Sequence, residues 1–275
     1  MISNGSLRDK FNILRQQRKA LLATNFYNFE TLKGVAEAAS AARQPFILQL
    51  TKSSIDYMGI SVAVSLATSI IKTYGLESWI HLDHGDSYDL AAQCLDAGFD
   101  SVMIDASEKP FEENIKITKS VVKLAEKFGA CVEAELGYVA KLGQDTDKAG
   151  FTDPGEAKIF VEETGVDTLA VAIGSAHGFY KQEPKLDLER LEAINDLLGI
   201  PLVLHGASGI PDEVLRQAVQ RGICKINLAT EIKNIFMQTL KTDLAGRDEI
   251  DLRKVFPPAT HAVSELVRKK LEVLR

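Results

Sequence analysis

Trp79-Ile80-His81-Leu82-Asp83-His84-Gly85 is the stretch that decides how this chain is read. An apolar run leads into two titratable side chains and a glycine, as in a buried strand that delivers chemistry at its carboxyl end. Two further segments repeat the arrangement, Gly174-Ser175-Ala176-His177-Gly178 and Leu202-Val203-Leu204-His205-Gly206. The chain has five histidines, and only His261, beside Pro257-Pro258, lies away from such settings. Neutral imidazole is a common zinc ligand, and three protein ligands with an open position make a catalytic site. His84, His177 and His205 are therefore read as converging on one divalent metal, with Asp83 beside it to transfer a proton. Successive residues on a strand face opposite ways. The backbone must bend between Asp83 and His84 if both are to reach one site.

Working outward, eight short β-type runs alternate with helical-period segments: Leu21–Thr24, Phe46–Leu50, Trp79–Leu82, Ser101–Ile104, Cys131–Ala134, Thr168–Ala172, Leu202–Leu204 and Lys225–Ile226. Val62, Leu66, Ala67, Ile70, Ile71 and Tyr74 are spaced to share one helix face. Asp153-Pro154 and Ile210-Pro211 place proline where a helix starts. The gaps between runs leave room for crossover helices, so neighbouring strands should be parallel. Eight such units predict an α/β fold, a (β/α)8 TIM barrel. The spacing of Leu7, Phe11, Leu14 and Arg18 adds an N-terminal helix, and further helix is expected around Ile232–Leu240 and Ala259–Leu274. An open doubly wound sheet is the competitor, but Leu21–Asn28 holds no glycine for the dinucleotide fingerprint. No linker or low-complexity tract divides the chain, so residues 1–275 are expected to form a single domain.

Size and composition set the class. At 275 residues and 45% hydrophobic, the chain can bury a large core. A net charge of −6, with no basic stripe, argues against nucleic acid. No run approaches membrane-spanning length and the N-terminus lacks an apolar signal core, so no membrane partner is expected. Cys94, Cys131 and Cys224 are odd in number and widely spaced, which fits buried thiols in a reducing cytoplasm.

A barrel enzyme carries its site at the carboxyl ends of the strands. Those ends hold Asn25, Gln49 with Thr51, Asp83-His84, Asp105, Glu135, His177, His205 and Asn227. Asp105 and Glu135 either orient the histidines, offer the metal an alternative resting place, or merely cap their strands. The loop His205-Gly206-Ala207-Ser208-Gly209 exposes backbone N–H groups, and Asn227 to Thr230 adds side-chain donors, so these two loops suit a phosphate. Gly178 and Lys181 could complete that cradle. Lys225 could form a Schiff base, though beside a metal site a structural role in the barrel is the better reading.

These residues together resemble the class II, metal-dependent ketose-bisphosphate aldolases. The likeness runs from Asn25 to Pro258 through His81-Leu-Asp-His-Gly85, Val102-Met-Ile-Asp105, Val132-Glu-Ala-Glu-Leu-Gly137, His177-Gly-Phe-Tyr-Lys181, Leu204-His-Gly-Ala-Ser-Gly209 and Lys225-Ile-Asn-Leu-Ala-Thr-Glu231. It implies Zn2+ on His84, His177 and His205, and Asp83 as the proton-transfer residue. It further implies phosphate contacts from Gly178, Lys181, Ser208, Asn227 and Thr230, a nearby monovalent cation (Na+ or K+), and substrate contact from Asn25. The implied reaction is reversible cleavage of a ketose 1-phosphate or 1,6-bisphosphate to dihydroxyacetone phosphate and an aldehyde. A homodimer or homotetramer is expected. Alanine in Asn227-Leu-Ala-Thr is more like tagatose- than fructose-bisphosphate enzymes, and Arg253 resembles an arginine that meets a distal phosphate.

One departure stands out. The family's loop after the fifth strand usually carries Gly-Gly-x-Glu-Asp, whose glutamate moves a second proton. Here no glutamate occurs between Leu136 and Gly155, and Gln144 falls in its place. Asp145, with Asp147 behind it, is the expected substitute. The competing readings are a sugar-phosphate-binding or regulatory homologue with weakened turnover, and a metal-dependent hydrolase.

Overall fold

The computed structural model describes residues 5–139, 150–180, 184–246 and 248–275. Eight strands close a barrel in chain order: β1 Leu21–Asn25, β2 Phe46–Thr51, β3 Ser78–Gly85, β4 Ser101–Ile104, β5 Cys131–Leu136, β6 Thr168–Val171, β7 Leu202–Leu204 and β8 Ile223–Leu228. Every neighbouring pair is parallel, and β8 returns to β1 with Ala23 opposite Asn227. The expected (β/α)8 barrel is therefore present, with the additional helices at both ends of the chain. β3 and β8 each run four residues beyond the expected bounds, and in β8 the polar residues Lys225 and Asn227 hide a run of six buried positions.

The barrel interior is layered. At the amino-terminal ends of the strands, Leu21, Ala23, Ile47, Trp79, Cys131 and Cys224 cluster with Leu7, Phe11 and Leu14. The helix Leu7–Gln17 thus seals that end, and its three buried residues recur at one face. Higher in the barrel the inward positions turn polar, with His81, Glu133 and Lys225 all buried. This polar layer lies under the carboxyl ends, where Asn25, Gln49, Asp83 and Asn227 are also buried.

Two local expectations need correction. In the helix Ile60–Tyr74 the buried residues are Ala63, Ala67 and Ile70, while Val62 is exposed. A helix apolar on several sides has no single stripe to read, and the small alanines let it pack closely. Pro154 does open the helix Pro154–Thr164, and Asp153 caps it by accepting from the N–H groups of Gly155 and Glu156. Pro211 instead takes the cap position before Asp212–Gln220, where its extended ψ of 141° precedes the helix.

The seal at the barrel floor should be costly to lose. Phe11 is buried in it, and truncating a buried phenylalanine typically costs about 3–5 kcal/mol. Phe11→Ala should lower the unfolding free energy by roughly that amount in denaturant titrations. A change under about 1 kcal/mol would show that the helix is not part of the core.

Candidate metal centre and active site

The required bend lies at His84. Its φ is +50°, and the β3–β4 register shifts between Leu82 and Gly85. Among the described residues the only other non-glycine positive φ values are at Arg18 and Arg43, both helix caps. A left-handed residue costs roughly 1 kcal/mol or more, so a mid-strand instance is informative. It turns His84 toward the carboxyl mouth beside Asp83. Gly85 then passes close to β4, where a Cβ would lie 2.5 Å from the Met103 carbonyl oxygen.

The three predicted histidines come together. The His84 ring centroid lies 4.9 Å from that of His177 and 4.6 Å from that of His205. Each of the three offers a nitrogen within 4.8 Å of the others'. His84 Nδ1 is 2.8 Å from Asp105 Oδ2, and His205 Nε2 is 2.8 Å from Glu133 Oε1. A carboxylate accepts, so each imidazole carries its proton on that outer nitrogen. The inner nitrogens, His84 Nε2 and His205 Nδ1, then face each other at 2.8 Å, the spacing of a shared proton. Two lone pairs at that distance repel unless a cation or proton lies between them. Imidazoles oriented by carboxylates are the usual setting of a metal ion, and this nitrogen donor set fits zinc. A second trio, His84, Asp105 and Glu135, also brings three ligand atoms within 4.8 Å of one another.

Electrostatics separates the members. Burial, then His84 and Lys225, keep His205 neutral by holding its pKa well below the imidazole range. Burial works against charge on His84 too, but Asp105, Asp83 and Glu135 outweigh it and raise its pKa to about 9. Glu135 is pushed up to about 8 by burial and by Asp105. For Asp83, burial opposes ionisation, yet His84, His205, Lys225 and the Asn25 amide hold the carboxyl below its ordinary value. Asp83 is gripped on both oxygens: Asn25 Nδ2 donates to Oδ2 at 2.9 Å and Asn227 Nδ2 to Oδ1 at 3.2 Å. Gln49 Nε2 in turn donates to Asn25 Oδ1 at 2.8 Å, which fixes the Asn25 amide.

A cavity of about 240 Å³ opens over these groups. Asn25, Asp83, His84, His177, Gly178, Gly206, Ser208, Asn227 and Thr230 all line it. Gly206, at φ +68°, leaves no room for a side chain, because a Cβ there would strike the Ala176 carbonyl. The loops after β6 and β7 can therefore meet, and the Tyr180 hydroxyl ties them by donating to the Gly206 carbonyl at 2.7 Å. Thr230 begins the helix Thr230–Leu244, whose amino end suits an anion.

Other predicted residues stand elsewhere. Asp105 and Glu135 lie behind His84, Asp105 at its Nδ1 and Glu135 within reach of the Ser107 hydroxyl. Arg253 does not line the cavity: its side chain is 90% exposed and pairs with Asp251 at 2.9 Å. Asp145, Asp147, Gln144 and Lys181 lie outside the described residues. Sequence reading overlooked Tyr27 and Lys233, which line the cavity with the Lys233 ammonium 5.5 Å from the Tyr27 ring centroid. It also overlooked Glu133. The period of two in Cys131-Val-Glu-Ala-Glu135 puts Glu133 and Glu135 on one face, which was the available signal.

The raised pKa of His84 makes metal uptake a proton exchange. The nitrogen must be bare to bind an ion, and without one it is protonated below about pH 9. Zinc binding at pH 7 should therefore release about one proton, and affinity should climb as pH rises from 6 toward 9. Calorimetry in buffers of differing ionisation enthalpy measures this. A buffer-independent enthalpy would contradict it.

Comparison with known proteins agrees with this geometry. The family model for class II fructose-bisphosphate aldolase matches residues 6–275. The D-tagatose-1,6-bisphosphate aldolase subunit GatY of Klebsiella oxytoca is 40% identical over 274 residues, spanning 97% of this chain and 96% of that protein. The crystal structure of the YdjI aldolase from Escherichia coli K12 superposes with a TM-score of 0.86 at 33% identity, covering 98% of this chain and 96% of that one. The Campylobacter jejuni fructose-bisphosphate aldolase, at 21% identity, shares the fold with a TM-score of 0.82 over 98% of this chain and 93% of its own. Barrel, histidine cluster and full-length match lead to one assignment: this chain belongs to the class II fructose-bisphosphate aldolase family.

Proposed function

We propose that this aldolase uses Zn2+ to cleave a ketose 1-phosphate or 1,6-bisphosphate reversibly to dihydroxyacetone phosphate and an aldehyde. The observation that carries the reading is the pair of carboxylate-oriented imidazoles whose inner nitrogens, His84 Nε2 and His205 Nδ1, converge beside an ionised Asp83. His84, His177 and His205 would hold the ion. Bound there, zinc supplies Lewis acidity that draws charge from a ketone oxygen as the carbon–carbon bond breaks.

The chain's own groups account for the rest. Asp83 takes the proton of the C4 hydroxyl as the C3–C4 bond opens, so C4 leaves as an aldehyde carbonyl. The bond's electron pair goes to the three-carbon fragment, whose C3 must then gain a proton. Asp145 is assigned that step in place of the family's glutamate. Buried acceptors without partners among the described residues, Gln49 Oε1 and Asn227 Oδ1, fit a polyhydroxy substrate that brings donors. Backbone and hydroxyl groups of Gly178, Gly206, Ser208 and Thr230, with Asn227 and Lys181, would take the 1-phosphate.

The 40% identity to a tagatose-bisphosphate aldolase subunit favours tagatose 1,6-bisphosphate over fructose 1,6-bisphosphate. A monovalent cation, Na+ or K+, is proposed beside the phosphate, where a K+ dependence of the rate would reveal it. Assembly as a homodimer or homotetramer in the cytoplasm completes the proposal. No single helix among the described residues is long and apolar enough to cross a membrane.

A zinc-replete screen of ketose 1-phosphates and bisphosphates, read by dihydroxyacetone phosphate release, tests the reaction. His177→Ala should lose zinc and cleavage together, whereas Asp83→Ala should keep zinc and lose roughly 10²–10⁴-fold in rate. Product formed by water without dihydroxyacetone phosphate would indicate a hydrolase. Asp83→Ala at the parental rate would remove Asp83 from the mechanism.

The assignment of Asp145 is tested by detritiation of labelled dihydroxyacetone phosphate, which isolates proton exchange at C3. Asp145→Asn should slow exchange strongly with zinc content unchanged, and Asp147→Asn serves as control. Unaltered exchange in both variants would place the acid outside the loop.

A further inference from the structure

Beneath the cavity, five charged or polar groups from different parts of the barrel form one buried chain. His205 on the β7 loop meets Glu133 of β5, as described above. Glu133 Oε2 accepts from Lys225 Nζ of β8 at 2.8 Å. The same ammonium lies 3.1 Å from His81 Nε2 of β3, and His81 Nδ1 lies 2.8 Å from Ser101 Oγ of β4. Lys225, Glu133, His81 and His205 are each no more than 2% exposed. Lys225 does not line the cavity.

An ammonium can only donate, and this decides every proton in the chain. Lys225 donates to Glu133 Oε2 and to His81 Nε2. Its charge keeps Glu133 an acceptor at the other oxygen, so His205 must carry its proton on Nε2. The Asn227 amide nitrogen also lies 3.2 Å from His205 Nε2, but the carboxylate is closer at 2.8 Å and cannot itself donate. With the proton on Nε2, Nδ1 is left bare toward His84.

We propose that Lys225 is a positioning residue for the metal: acting through Glu133, it fixes the His205 tautomer and so makes Nδ1 a ligand. Lys225 thus serves the site without touching substrate or ion. The proposal rests on the zinc reading of the histidine cluster.

The decisive substitution is Glu133→Gln, which keeps the size and removes the charge. Lys225 would still demand the amide oxygen, so the amide N–H groups would turn to His205. His205 Nε2 must then accept, its proton moves to Nδ1, and the ligand position is blocked. Glu133→Gln should weaken zinc binding about 10–100-fold in chelator competition, the usual size of such an effect. Adding Lys225→Met frees the amide to reverse, and zinc affinity should recover in the double variant. A purely structural pair would give no such recovery. Equal zinc affinity in Glu133→Gln and the parent, or no recovery in the double variant, would overturn the proposal.

The parent protein gives a second arm that does not depend on a variant folding. Nitrogen-15 histidine spectra of the zinc-free protein should place the His205 proton on Nε2, and a proton on Nδ1 would refute the role of Lys225. Failure of the zinc reading looks different: the parent itself would then bind no zinc at its histidine cluster.

Discussion

His84 Nε2 and His205 Nδ1 face one another at 2.8 Å, each on an imidazole whose other nitrogen is committed to a carboxylate. Much of the site follows from keeping those two lone pairs together. The left-handed backbone at His84 aims one of them and the β7 loop delivers the other. Asp105 and Glu133 prevent either ring from relieving the repulsion by switching tautomer. With no ion bound, a proton on His84 relieves the contact below about pH 9, and a cation would take that proton's place.

The same economy governs Asp83. A buried carboxylate is costly unless paired, and here two amides and nearby positive charge hold it ionised in the cavity wall. The position of Asp83 next to His84 in sequence does not by itself bring them together. The bulge between Leu82 and Gly85 does, and it depends on the close passage of Gly85 past β4. Asp83 and His84 thus owe their shared placement to one irregularity of the barrel, the bulge in β3.

Most of the fold was legible because each βα unit shows its period in a short apolar run, and the floor-sealing helix declares itself through Leu7, Phe11 and Leu14. The histidine cluster was legible because histidine followed by glycine at strand ends is hard to produce by packing needs alone. Glu133 was harder to read. Its spacing from Glu135 places both on one face of β5, but its partner Lys225 lies 92 residues away and no local pattern links the two. Tyr27 and Lys233 were missed because their side chains reach the cavity from a loop and a helix, where strand periodicity says nothing. Arg253, which a motif likeness links to a distal phosphate, lies outside the cavity lining and pairs with Asp251 two residues away.

The central claim is that three imidazoles, one from β3 and two from the loops after β6 and β7, share one divalent ion. Crystals grown with zinc and measured on both sides of the zinc absorption edge test it directly. The account predicts one strong anomalous peak per chain, within bonding distance of ring nitrogens from His84, His177 and His205. A peak elsewhere, or none while the protein is saturated with zinc, would contradict it.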